Sequence, residues 1–220
     1  MDAKALLAHV DHTLLKPEAT EAQIIDLCRE ALAYGTASVC INARYVPLAV
    51  SILGDAIPVC TVVGFPLGAM TTEAKVYEAR DAVAKGAKEI DMVISIADLK
   101  DNKLDAIEAE IRAVKQAIGN LILKVIIETA LLTDEEKRAM CHVVEKAGAD
   151  YIKTSTGFST GGATAHDIAL FAAETNGRIK IKAAGGIKTV DDMRLFLSLG
   201  ADRLGSSSAI KLMKQAGLLK

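Results

Sequence analysis

The chain has 220 residues, 51% of them hydrophobic, with 26 Lys and Arg against 28 Asp and Glu, enough for one domain with a sizeable core. A formal charge of −2 leaves no basic stripe for nucleic acid and no acidic tail, so any bound anion needs a local site. The start "MDAKALLAHVDHTLL" lacks the pattern of a signal peptide, no window approaches the ~18 apolar residues of a membrane helix, and Cys28, Cys40, Cys60 and Cys141 show neither C-x-x-C nor zinc spacing, so reduced thiols and a cytoplasmic location are expected.

A short helix is expected at the N-terminus, and short apolar runs then alternate with amphipathic stretches. The first strand is read in "HVDHT" (9–13), followed by a helix over 20–34 that opens at Thr20. Strands follow in "ASVCIN" (37–42), "IPVCTVVGF" (57–65) and "KEIDMVIS" (88–95), with a helix over 72–85 opening at Thr72. The apolar positions of 104–118 recur at helical spacing and lead into the strand "LILKVIIET" (121–129). Residues 133–147 open "TDEE", a threonine cap with acids in the first turn, where the helix dipole favours them. The strand "DYIKTS" (150–155), a helix over 164–175, the strand "IKIKAAGG" (179–186), a helix over 189–199 and the strand "DRLGSS" (202–207) complete the series, and "LGSSSAI" opens a last helix. Gly35, Gly86, Gly148 and Gly200 stand at helix exits. Eight alternating units with short connections predict a parallel sheet closed as a single (β/α)8 TIM barrel spanning residues 1–220. An open doubly wound sheet is the alternative; no G-x-G-x-x-G follows the first strand to support it.

The site of such a barrel lies at the C-terminal ends of its strands. Period two places Tyr151 with Lys153, Lys180 with Lys182, and Lys124 with Glu128 on common faces. Asp11, Asp91, Lys124, Lys153 and Lys182 could thus enter one cavity, with Cys40 facing it. Each alone could be a buried ion pair or a snorkelling side chain, but burying five charges together is costly and points to function. The turns "AAGGIKT" (183–189) and "LGSSSAI" (204–210), with Gly157, offer backbone N–H groups and hydroxyls to a phosphate; as bare turns they would only cap helices. A lysine is protonated at neutral pH, and a second cation beside it favours the neutral, nucleophilic amine. Lys153 with Lys182 on the next strand therefore suits a Schiff base with a carbonyl, with Asp91 moving protons. No metal motif is evident among His9, His12, His142 and His166.

"DHTLLKP" (11–17), "VCTVVGFPLGA" (59–69), "EIDMVI" (89–94), "KVIIET" (124–129), "YIKTSTGF" (151–158), "IKAAGGI" (181–187) and "LGSSSA" (204–209) together resemble the deoxyribose-phosphate aldolase family of metal-independent, Schiff-base (class I) aldolases. The resemblance implies a TIM barrel, no cofactor, and reversible cleavage of 2-deoxy-D-ribose 5-phosphate to acetaldehyde and D-glyceraldehyde 3-phosphate. By motif position, Lys153 matches the Schiff-base lysine, Lys182 the second lysine that tunes it and takes part in proton transfer, and Asp91 the proton donor and acceptor. Asp11 and Lys124 match pocket residues, and Cys40 supports the pocket either as a soft nucleophile or as a packed thiol. Gly157, Gly185, Gly186, Lys188, Gly205, Ser207 and Ser208 fall on phosphate-side positions. The expected partners are small phosphorylated sugar and aldehyde substrates, with no nucleic acid and no membrane, in a homo-oligomer (dimer or tetramer). Two departures stand out: Ala43 replaces a proline found in many members, and the sequence ends "KQAGLLK" without the tyrosine-bearing tail of some members. If that end is complete, proton transfer by such a tyrosine is not expected. A phosphosugar isomerase or epimerase would leave Lys153 unexplained, and a non-catalytic phosphate-binding barrel would tolerate its loss.

Overall fold

Strands and helices alternate along the computed structural model, which describes residues 1–219. Helix α1 (Ala3–Leu7) precedes β1 (Val10–Leu14), α2 (Glu21–Tyr34), β2 (Ser38–Ile41), α3 (Val46–Leu53), β3 (Val59–Val63) and α4 (Thr72–Ala84). Then come β4 (Glu89–Val93), α5 (Ile96–Lys100), α6 (Leu104–Ile118), β5 (Ile122–Ile126), α7 (Asp134–Lys146) and β6 (Tyr151–Lys153). The chain finishes with α8 (Ala165–Thr175), β7 (Lys180–Ala184), α9 (Val190–Ser198), β8 (Arg203–Ser206) and α10 (Ala209–Gln215). The strands form a closed parallel barrel in sequence order, β8 returning to β1 through Asp11↔Gly205, the TIM barrel expected from the alternation.

The local signals explain the boundaries. Thr20 and Thr133 each form a reciprocal capping box, with Gln23 and Glu136. Thr164 and Thr189 cap α8 and α9 as expected, whereas α4 is capped by Thr71 and not by Thr72. Helix α3 is not signalled in the sequence: "VPLAVSIL" is apolar almost throughout and shows no polar face to mark a helical period.

Alternation along the strands divides the interior into two unlike regions. Outward residues such as Val39, Ile41, Ile90, Met92, Leu123, Val125, Ile152 and Leu204 pack against the helices in the main hydrophobic core. Each such side chain contributes about 1.5–3 kcal/mol when fully buried. The inward residues include a separate small apolar group, Cys40, Cys60 and Val62, topped by Leu15 and Phe65. The remaining space is filled by charge: Asp11, Glu89, Asp91, Lys124, Lys153 and Lys182 are all buried. Branched apolar layers normally fill a barrel of this kind, so the charged interior needs its own account.

Candidate active site

Strand register sets the charged cluster. Lys153 stands beside Lys182 across β6 and β7, and Asp91 beside Lys124 across β4 and β5. Asp91 Oδ2 accepts from Lys153 Nζ at 2.7 Å and from Lys182 Nζ at 2.6 Å, and its Oδ1 accepts from Lys124 Nζ at 2.9 Å. Lys182 also donates to Asp11. Lys124 lies 2.5 Å from Glu89 and 3.5 Å from Asp11. Arg203 closes the group, 2.5 Å from Asp11 and 3.4 Å from Glu89. Ser38, paired with Asp11 in the register, donates to it at 2.7 Å. Beneath them the Tyr151 ring receives Lys124, Lys180 and Arg203 at 6.0, 5.6 and 5.7 Å. All five charged residues expected in one cavity are thus brought together.

The sequence reading sets Lys153 beside Lys182 as a second cation, with Asp91 nearby to move protons. The structure places the Asp91 carboxylate between them, so the amines compete for one acceptor. Burial alone would raise the Asp91 and Asp11 carboxyls; the surrounding lysines outweigh it and hold both below the ordinary range. Burial alone would lower Lys182; Asp11 and Asp91 outweigh that and raise it above the usual lysine value. Lys124 is likewise raised, by Asp11 and Asp91 against burial. Four cationic side chains (Lys124, Lys153, Lys182, Arg203) face three carboxylates (Asp11, Glu89, Asp91), which leaves one positive charge in surplus. Lys182, Lys124 and Arg203 each reach two or more carboxylates, whereas Lys153, among the described residues, reaches only Asp91. Lys153 is therefore the cation of the cluster held by the fewest ion pairs.

Lys153 is also where the cluster meets a cavity. A pocket of about 330 Å³ at the C-terminal ends of the strands is lined by Lys153, Gly157, Gly185, Gly186, Gly205, Ser207 and Ser208. Asp91, Asp11, Lys124, Lys182 and Cys40 lie buried below. Lys188 does not line this pocket; it borders a neighbouring hollow with Lys137 and His166. Gly185 and Gly186 take consecutive φ values of +72° and +75°, a turn that L side chains resist. Gly205 lets the site pack closely: a Cβ there would meet Ala184 Cβ at 3.0 Å and Lys182 Cε at 3.1 Å.

Several members of the site carry little or no sequence signal. Glu89 and Arg203 begin their strands and look like solvated ends. Cys60 donates to Asp91 Oδ1 at 3.1 Å and accepts from Lys124 at 3.4 Å; its place beside Cys40 in the strand register is the one signal that could have found it. Ser206 and Lys16 line the pocket as well. Glu128, paired by alternation with Lys124, does not enter the cluster. β5 ends at Ile126, and Glu128 turns to φ +56°, accepting from the Thr156 amide at 3.3 Å and from its hydroxyl. Thr154 exchanges hydrogen bonds with the Ala184 backbone at 3.1 Å. Ser155 keeps a buried hydroxyl without a partner among the described residues.

Two groups, Cys40 with Cys60 and Asp91, and Asp11 with Cys60 and Glu89, bring ligand atoms within 4.8 Å of one another. Lys124 stands among these atoms with its ammonium paired to Asp11, Glu89 and Asp91, so a positive charge already fills the place a metal ion would take.

A family model described as DeoC/LacD family aldolase matches residues 5–207. A curated deoxyribose-phosphate aldolase from Clostridium botulinum (strain Alaska E43, type E3) is 56% identical over 214 residues, 97% of either chain. Among solved structures, the aldolase QR15 is 36% identical with a TM-score of 0.91, covering 98% of this chain and 99% of its own. A deoxyribose phosphate aldolase from Aeropyrum pernix, described as tetrameric, is 31% identical with a TM-score of 0.89, over 98% and 92% of the two chains.

Proposed function

The chain belongs to the DeoC/LacD family of aldolases, and on that premise we propose that it reversibly cleaves 2-deoxy-D-ribose 5-phosphate through a Schiff base on Lys153. The products are acetaldehyde and D-glyceraldehyde 3-phosphate, which makes the enzyme a carbon–carbon lyase. The observation that carries this reading is a single lysine at the floor of a cavity, sharing one carboxylate with two other cations.

The neutral Lys153 amine attacks the C1 aldehyde of the open-chain sugar, and the carbinolamine loses water to give an iminium. A base removes the C3 hydroxyl proton, the C2–C3 bond breaks, and its electron pair enters the iminium as an enamine. C3 leaves as the aldehyde of glyceraldehyde 3-phosphate. Protonation at C2 and hydrolysis then release acetaldehyde and restore the amine. Asp91, directly or through one water, is the group within reach of these protons, and Lys182 returns charge to it. Gly157, Gly185, Gly186, Gly205, Ser207 and Ser208 hold the phosphate, with Lys16 also in the pocket lining. The fixed distance from phosphate to amine then sets which carbon reacts. A phosphorylated sugar as substrate fits a cytoplasmic enzyme. No helix among the described residues is long and apolar enough to cross a membrane. The chain assembles as a homo-oligomer, as its tetrameric relative does.

Borohydride added with acetaldehyde should leave an N-ethyl group on Lys153, read by peptide mass. An unmodified Lys153 peptide from an active preparation would sink the Schiff-base reading.

A further inference from the structure

Cys40 and Cys60 stand side by side on adjacent strands inside the barrel, and both are fully buried. Their sulfurs lie within 4.8 Å of each other and of an Asp91 oxygen. The strand spacing of about 4.8 Å falls inside the Cα range that a disulfide spans. The geometry points to a thiol pair that closes to a Cys40–Cys60 disulfide under a peroxide oxidant and thereby turns the aldolase site down.

The other two thiols set the contrast. Cys28 in α2 and Cys141 in α7 belong to the outer core, and neither has a second cysteine to close with. Burial pushes their thiols up to about 11 and about 12. Cys40 is drawn the other way, by the neighbouring Cys60 thiol and, against burial, by Lys182 and Lys153. Access is short: Leu15 belongs to the apolar group that covers the thiols and also lines the substrate pocket. Hydrogen peroxide is close to water in size.

The step balances with peroxide as the oxidant. The Cys40 thiolate attacks one peroxide oxygen, forms a sulfenic acid and releases hydroxide, which takes up the thiol proton as water. Cys60 attacks the sulfenic sulfur, and the departing hydroxyl leaves as water with the Cys60 proton. Two thiols are oxidised by two electrons and one peroxide is reduced to two waters. The bond draws Cys60 toward Cys40 and removes its proton, so Asp91 loses a hydrogen-bond donor and Lys124 an acceptor. The loss of activity rests on the proposed role of Asp91 in proton transfer. A hydrogen bond to a charged group, lost at the transition state, slows the step about tenfold or more.

Arg44 lies between the two cysteines, so trypsin separates them and a bridge appears as a linked peptide pair. Peroxide treatment of the intact enzyme should yield that pair and cut activity about tenfold, with both effects reversed by dithiothreitol. Cys60→Ser, which keeps a donor beside Asp91 but cannot bridge, should retain the same activity before and after peroxide. The proposal is overturned if Cys40 and Cys60 stay as alkylatable as Cys28 and Cys141, if Cys40 oxidises without a bridge, or if the bridged enzyme keeps full activity. The linked peptide is read without turnover, so its absence is distinct from a failed borohydride adduct, which bears on Lys153 alone.

Discussion

Asp91 accepts from three ammonium groups at once, so a change in one is felt by the others. Replacing Lys182 by Met would leave Asp91 to Lys153 and Lys124 and would bind the Lys153 proton more firmly. We expect kcat to fall by about 10²-fold or more and the acid limb of the pH–rate profile to move to higher pH. A limb that stays in place while kcat falls would divorce Lys182 from the ionisation of the amine. Lys153, Lys182, Asp91, Asp11 and Lys124 were legible because a charge at an alternating position in an apolar strand is costly to bury and marks a lined cavity. Glu89 and Arg203 were not, because a charge at the start of a strand looks the same whether it meets solvent or a buried partner. Lys16 sits in a loop after β1, where no period indicates direction.

At the scale of elements, helices hold the loops that frame the pocket. Lys75 in α4 is fully buried and donates to Glu110 of α6 at 2.7 Å. The other Glu110 oxygen accepts from the Ser95 amide, which precedes α5, at 3.3 Å, and Glu78 of α4 accepts from the Gly64 amide after β3 at 2.8 Å. Breaking the pair by Lys75→Met alone should destabilise the fold by about 3–5 kcal/mol, because Glu110 is left buried and charged. The double variant Lys75→Met with Glu110→Leu should recover most of that loss in chemical denaturation. A single variant as stable as the parent would show that the pair contributes nothing. Helices with threonine caps and acidic first turns were readable to within a residue. α3 was hidden because a short helix wedged between strands and neighbours needs no polar stripe.

Over the whole molecule, the buried cluster ties stability to pH. Asp11 and Asp91 have depressed carboxyl values in the folded state. Their contribution is present above the unfolded value of about 3.9 and is lost as pH falls further. Lys124 and Lys182 are raised, so theirs is complete below about 10.4 and is lost only as pH rises beyond it. The melting temperature should therefore hold between about pH 5 and 9 and fall steeply below about pH 4. An acid limb no steeper in the parent than in Asp11→Asn would contradict this. The barrel itself was legible from eight alternating apolar runs, several of them set off by threonine caps and four by helix-exit glycines, since each of these is a local signal. The pairing of charges was not, because Asp11 meets Lys182 and Arg203 across 171 and 192 residues. That separation has a pattern. All three carboxylates, Asp11, Glu89 and Asp91, come from the first four strands, and all four cations from the last four. The two half-barrels are thus opposite in sign on their inner faces, like the poles of a clasp. Neither half can dehydrate its own lining alone, and joining the halves both closes the sheet and reduces the charge of the cavity to a single positive one.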